Sequence, residues 1–238
     1  ADFDLNGYTD VAYCTIGTIL FSTDELYVTT TDATGVWSRH QVDSSLQPCT
    51  ALAAGMVNGD GYPDLVMSDE NNNVVVYLND AGTGWDFTGP TSPLPATSDV
   101  SYIRIALVDA DANNDVVICS ETNARGCRWY AGNGAGGFST PASSLVAAYP
   151  AGYTAAALID MDGDSDLDMV IAGRDASLAA VLDYAANDGS GNFAVIRLAT
   201  GTAVAMRALT TPRLEAASPH RSVLAVVGNT ALLVVNSG

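Results

Sequence analysis

The chain has 238 residues, long enough to bury a large core as one domain, and with 48% hydrophobic and 15% charged residues it reads as folded and not as a disordered acidic tail. Its net charge of -18, from 27 acids against 9 bases, argues against a nucleic-acid surface and against anionic membranes. No apolar run reaches the roughly 18 residues of a membrane-spanning helix; the longest candidate, 222–235, is broken by Gly228-Asn229-Thr230.

In chain order, the first acidic loop is Asp2-Phe-Asp4-Leu-Asn6-Gly7-Tyr8-Thr-Asp10. Strands are expected after it at Asp10–Cys14, Glu25–Thr29 and Val36–Val42. The second unit starts with a small-residue strand, Ala51–Ala54. Its loop is Met56-Val-Asn58-Gly-Asp60-Gly61-Tyr62-Pro-Asp64, and strands follow at Asp64–Met67, Val74–Leu78 and Trp85–Thr88. The third unit has a strand at Tyr102–Val108, the loop Asp109-Ala-Asp111-Ala-Asn113-Asn114-Asp115, and strands at Asp115–Cys119, Arg128–Ala131 and Phe138–Pro141. The fourth has Ala155–Ile159, the loop Asp160-Met-Asp162-Gly-Asp164-Ser-Asp166-Leu-Asp168, then Asp168–Ala172, Ala180–Tyr184 and Phe193–Ala199. The fifth keeps strands at Val204–Leu209, Ser222–Val227 and Ala231–Val235 but has no acidic ligands near Pro212.

The loops share the pattern D-x-D-x-[DN]-G-x-x-D followed by an apolar residue. Oxygen side chains at alternate positions converge on one point, and a small residue allows a sharp turn. A hard cation that takes six to eight oxygens suits this set, which makes calcium the expected ion. In the first loop the expected ligands are Asp2, Asp4, Asn6 and Asp10 with the Tyr8 carbonyl. In the fourth they are Asp160, Asp162, Asp164 and Asp168 with the Asp166 carbonyl. The second loop offers Asn58, Asp60, Tyr62 and Asp64, with Met56 in place of the first ligand. The third offers Asp109, Asp111, Asn113 and Asp115, and reads as two residues shorter. The competing explanation is a set of Asx turns with solvated carboxylates.

Aligned on Asp4, Asn58, Asp111 and Asp162, the loops are 54, 53 and 51 residues apart. Such a period means an array of structural units, here approximately 1–50, 51–101, 102–153, 154–203 and 204–238 of a single domain, 1–238. Four short strands per unit argue for a four-stranded antiparallel sheet. A sheet that small hides its faces by packing against copies of itself, so the expected fold is an all-β propeller. Asn133-Gly-Ala-Gly-Gly-Phe138 and Asn187-Asp-Gly-Ser-Gly-Asn-Phe193 read as one recurring turn.

These loops, the Asn187–Phe193 turn and the Arg128-Trp129-Tyr130 strand resemble the FG-GAP or VCBS repeats of integrin-alpha-type propellers. The resemblance implies calcium in the loop between the first and second strands of each blade. The chain starts inside a loop, ends after a third strand and has no leader sequence, so it reads as an excised part of a six- or seven-bladed ring.

Cys119 and Cys127 flank a hairpin-sized loop, while Cys14 follows the first acidic loop and Cys49 precedes the second. Each pair suits a disulfide, though four cysteines allow three pairings and four buried thiols are the alternative. No Cys/His zinc cluster is present. His40 and His220 are the two histidines, expected on a strand and in a turn, and no G-x-S-x-G elbow occurs. The paired Asp sit on one loop and not across a cleft, unlike glycosidase acids. Trp37, Trp85 and Trp129 are expected to pack between sheets, with sugar stacking as the alternative. Residues 88–99 read as an exposed loop able to carry O-glycans. The expected function is non-catalytic: an extracellular, calcium-stabilised module for adhesion or assembly, with a glycan-binding propeller as the alternative. Its partner is a protein or glycan, including the rest of a larger polypeptide, and not nucleic acid or a membrane interior.

Overall fold

A computed structural model describes residues 1–15, 24–80, 86–94, 99–120, 126–140, 145–147, 152–201, 206–210, 222–227 and 230–235. The described residues form strands and turns without a helix. The first sheet holds β1 (Val11–Thr15), β2 (Asp24–Thr31) and β3 (Trp37–Leu46) in sequential order. The second holds β4 (Cys49–Gly55), β5 (Asp64–Asp69), β6 (Val74–Asn79) and β7 (Phe87–Leu94). The third holds β8 (Val100–Ala106), β9 (Asp115–Ser120), β10 (Cys127–Gly132) and β11 (Phe138–Ser139), with β12 (Leu145–Ala147) also on β10. The fourth holds β13 (Tyr153–Ile159), β14 (Asp168–Arg174), β15 (Ala180–Asn187) and β16 (Phe193–Gly201). The fifth holds β17 (Met206–Thr210), β18 (Ser222–Val227) and β19 (Thr230–Val235). These are the expected meanders, and the second, third and fourth acidic loops join β4 to β5, β8 to β9 and β13 to β14.

By contacts the chain divides into two units: Ala1–Ala106 with Asn113–Val117 and Tyr130–Ser139, and Leu107–Ala112 with Ile118–Trp129 and Thr140–Gly238. In the first unit, Phe3, Leu26 and Val28 pack with Leu65, Met67 and Tyr77, so one face of the first sheet covers a face of the second. In the second unit, Ile159, Met161, Val170, Ala172 and Leu182 form a cluster on the fourth sheet. The middle strands β5 and β14 are buried on both faces, which is why their sequences are near-continuous apolar runs. β4 is rich in Ala and Gly where it approaches β8 closely. A Cβ at Gly55 would lie 3.0 Å from the Ile105 side chain.

Two expectations change. Residues 88–94 are not a free loop: β7 runs from Phe87 to Leu94 and pairs with β6, Val76 opposite Thr91. The prolines that argued for a loop sit on an edge strand, and register shifts interrupt its ladder, the setting in which a strand tolerates a missing N–H. The fourth strand of the third unit comes in two pieces, since Ala131 pairs with Ser139 while Arg128 pairs with Leu145. Both expected disulfides are present: Cys14–Cys49 joins β1 to β4, and Cys119–Cys127 joins adjacent strands.

Candidate metal-binding loops

The last Asp of each loop is buried and held by backbone donors. Asp10 accepts from the N–H of Phe3 at 2.7 Å with one oxygen and from that of Thr31 at 2.9 Å with the other. Asp64 accepts from Val57 at 2.7 Å and Asn79 at 2.9 Å. Asp168 accepts from Met161 at 2.7 Å and Asn187 at 2.9 Å. Asp115 accepts from Gly132 at 2.9 Å. This carboxylate therefore ties its own loop to the end of the third strand, a structural role beside any role as a ligand. Burial pushes the Asp64 and Asp168 carboxyls up, and their N–H donors oppose that.

The same geometry corrects the alignment of the third loop. Counting back seven residues from the buried Asp reaches a buried apolar residue in every case: Phe3, Val57, Val108 and Met161. The loop thus starts at Leu107 and has full length. Leu107, like Met56 in the second loop, is an exposed apolar side chain where the first and fourth loops have Asp2 and Asp160. Asp109, not Asp111, is the counterpart of Asp4, Asn58 and Asp162. Positive φ at Gly7, Gly61, Ala112 and Ser165, the sixth position each time, supports the register. So do the matching bridges Asn58 to Ala135 and Asp109 to Ser190. The sequence reading missed this because a D-x-D pair occurs at either offset.

Asp2, Asp4 and Asp10 bring one ligand oxygen each within 4.8 Å of one another, and so do Asp160, Asp162 and Asp168. That span is about twice a calcium–oxygen bond of ~2.4 Å, so the donor sets fit a hard cation. In the first loop Asn6 donates from Nδ2 to Asp4 at 3.0 Å and to the Thr31 carbonyl at 2.7 Å, while its Oδ1 accepts from Tyr8 N–H at 2.8 Å. Burial pushes the Asp4 carboxyl up, helped by the charges of Asp10 and Asp2. In the fourth loop the Tyr184 hydroxyl donates to Asp168 at 3.0 Å and Asp162 at 3.2 Å, and Asp164 accepts from Asp166 N–H at 2.9 Å. The second loop has two acids, with Asn58 Nδ2 donating to Asp60 at 2.9 Å and Asp60 accepting from Tyr62 N–H. In the third, Asp109 accepts from Asp111 N–H at 3.0 Å within the second unit, while Asn113 and Asp115 belong to the first.

Sequence reasoning missed two residues that fix the loops. Asn79 donates from Nδ2 to the Phe3 carbonyl at 2.9 Å and to the Pro63 carbonyl at 3.2 Å. Asn187 does the same to Val108 at 2.7 Å and Leu167 at 3.2 Å. Each is buried, and each clamps its own loop to the loop of the preceding repeat. An Asn at the end of the third strand, 15 or 19 residues after the buried Asp, was the available signal.

A second pattern, read from the sequence only in the Asn133–Phe138 and Asn187–Phe193 segments, is a five-residue turn starting at Asp32, Asp69, Asn133, Asp175 and Asp188. Its first N–H donates to the fifth carbonyl, at 3.0–3.2 Å in all five. The side-chain oxygen of the first residue accepts from the fifth N–H, at 2.9–3.2 Å. The fourth residue has positive φ: Gly35, Asn72, Gly136, Leu178 and Gly191. Gly191 has a further constraint, because a Cβ there would collide with the ring of buried Trp129, whose Nε1 donates to the Gly191 carbonyl at 3.0 Å. Trp129 packs as expected. Trp37 does not, being 55% exposed at the start of an outer strand. His40 lies on β3, where burial pushes its imidazole down. Trp85 and His220 lie outside the described residues.

Residues 57–117 and 108–171 match the family model described as FG-GAP-like repeat. Among curated proteins no sequence matches the chain. A solved structure similar to it is that of BBS1N in complex with ARL6DN, 10% identical with a TM-score of 0.43, covering 95% of this chain and 78% of that one. The two adjacent matches span the second to fourth acidic loops, on antiparallel sheets of the kind that make propeller blades. Residues 57–171 thus carry FG-GAP-like repeats, and the fold is all-β, of the propeller type.

Proposed function

We propose that this chain is a non-catalytic binding or assembly module that works outside the cell, and that calcium in its first and fourth loops stabilises it. The observation that carries the reading is the pair of carboxylate trios, Asp2/Asp4/Asp10 and Asp160/Asp162/Asp168, each converging on one point. Three carboxylates so close repel one another, and a cation that binds only the folded state removes that cost and raises stability. The two disulfides fit an oxidising compartment. Among the described residues, the acids of the four loops lie together within single loops and not across a cleft, which fits a non-catalytic role.

Asp164 and Asp168 provide the test. Asp164→Ala is expected to lower the melting temperature in calcium and leave it nearly unchanged in chelator. Asp168→Ala is expected to cost about 2–4 kcal/mol in chelator, since it orphans the buried N–H groups of Met161 and Asn187, and more in calcium, since it also removes a ligand. Equal loss for Asp164→Ala in calcium and in chelator would end the calcium reading. A glycan partner has one observation in its favour, the exposed ring of Trp37. A glycan array with and without calcium separates it from a protein partner.

A further inference from the structure

The outer strand of a meander leaves a row of main-chain groups at its far edge, and three of these sheets guard that edge. β7 carries Pro90 and Pro93 and shifts register twice against β6. The outer strand of the third sheet is broken into β11 and β12. β3 carries Arg39, His40 and Asp43 and shifts register twice against β2. Prolines, interruptions, charges and bulges are the devices that keep strand edges from pairing with other chains. β16 is built differently. From Phe193 to Arg197 it runs in unbroken register against β15, with Asn187 opposite Phe193 and Asp183 opposite Arg197. It holds no acid and no proline, and the charge of Arg197 is ion-paired with Asp183. Val195, Ile196 and Leu198 are 47%, 54% and 42% exposed.

Among the described residues β16 pairs with β15 alone; β12 lies near it but is paired with β10. The closing turn sets which of its groups face outward. The Asp188 N–H donates to the Asn192 carbonyl at 3.2 Å, and in an antiparallel ladder the bonded pairs recur at every second position from there. Ala194 and Ile196 therefore bond inward, to Ala186 and Tyr184. The N–H and C=O groups of Phe193 and Val195 point away from β15, the template on which a further strand adds.

We propose that the outer edge of β16 is a self-association site, on which a second copy of this chain lays its own β16 antiparallel. With Ala194 opposite Ala194 on a two-fold axis, Phe193 of each copy exchanges main-chain bonds with Val195 of the other. That register puts a small residue at the non-bonded pair, where side chains come closest, and sets an aromatic against a β-branched residue at the bonded pairs. One patch serves both copies, as two-fold closure requires. Charge favours this strand for the contact: two chains of net charge -18 repel least along a strand that has no acid and whose one base is already paired. The inference rests on the assembly-module reading and names its partner as a second copy.

Sedimentation of the intact, disulfide-bonded chain over roughly a hundredfold range of concentration tests it, with hydrogen exchange measured at both ends of the range. The expected result is a concentration-dependent dimer in which the Phe193 and Val195 amides exchange slower than in the monomer by about tenfold or more. Val195→Pro removes an outward donor without taking a bond from β15, and Val195→Lys keeps the donor but adds a charge to the edge; both are expected to abolish the dimer. Leu178→Lys adds the same charge at an exposed turn and is expected to leave the dimer intact. A monomer at every concentration overturns the proposal. So does a dimer that protects neither amide, or one that survives both Val195 variants. A monomer that keeps its calcium shift in melting temperature removes the self-association proposal alone, and a dimer without that shift removes only the calcium reading.

Discussion

At the scale of single residues, the acids of the repeated loops and turns divide into three kinds of work. Asp10, Asp64, Asp115 and Asp168 are buried and bound to backbone N–H groups, while Asp60, Asp111, Asp162 and Asp164 are exposed. The turn acids are a third group, with carboxyls held down by hydrogen bonds. Asp175 is lowered first by the Ser177 hydroxyl, at 2.6 Å, and also by the N–H groups of Ser177 and Ala179. A folded value below the unfolded one stabilises above the unfolded value of 3.8 and loses that stabilisation as pH falls through the folded value. Asp175→Asn keeps an acceptor oxygen but loses the charge. Its stability deficit against the parent is therefore expected to be present at about pH 6 and to vanish near about pH 2, as urea midpoints would report. In the same turn Leu178 occupies the left-handed region at φ 66° where three sister turns have glycine. The strain of a branched side chain there is about 1–2 kcal/mol, partly offset by the entropy of a glycine. Leu178→Gly is expected to raise stability by roughly 0.5–1 kcal/mol; an unchanged or lower melting temperature would contradict it.

At the scale of elements, the strands were legible because their signal is local. The middle strands β5, β9 and β14 are apolar runs between a buried Asp and a turn, and β18 is an apolar run without the Asp; all four fall where those runs do. Only the start of β7 was legible, as the end of the expected strand Trp85–Thr88, since Pro90 and Pro93 beyond it read as loop unless it is known that the strand lies at an edge. The loops were legible as acidic turns, but their register was not. The fixed points are buried Val108 and buried Asp115, and burial is a tertiary property that a D-x-D spacing does not carry. The Asn79 and Asn187 clamps were hidden for the same reason: each depends on the carbonyl of another repeat, 76 and 79 residues away. The disulfides differ in what they constrain. Cys14–Cys49 closes 35 residues and Cys119–Cys127 closes 8. Chain entropy then makes the first worth about 1 kcal/mol more to the folded state. Removing it as a Cys14→Ala/Cys49→Ala pair is expected to lower the unfolding free energy more than Cys119→Ala/Cys127→Ala. The opposite order in denaturant titrations would count against that.

At the scale of the whole molecule, 27 acids against 9 bases make self-repulsion a standing cost to the folded state. Screening shortens the reach of that repulsion to about 10 Å at 0.1 M salt. The melting temperature in chelator is therefore expected to rise with sodium chloride, and to rise less once calcium is present. Parallel salt series with and without calcium read this directly, and an equal slope in both would show that the loops do not hold the repelling charge.

The buried Asn clamps have a consequence for how the array behaves as a cooperative system. In a repeat protein stability separates into terms within each repeat and terms between neighbours. Here part of the neighbour term is polar and directional: the Asn79 amide reaches the carbonyl of Phe3 across a repeat boundary, and the Asn187 amide that of Val108. A repeat that unfolds alone leaves the carbonyl of the one before it buried without a donor, at about 1–3 kcal/mol. Partly unfolded arrays are penalised at these two boundaries for this reason, so melting is driven toward all-or-none behaviour within a unit. The first and third loops thus take part of their shape from the repeat that follows, so the conformation of each is a property of two consecutive repeats.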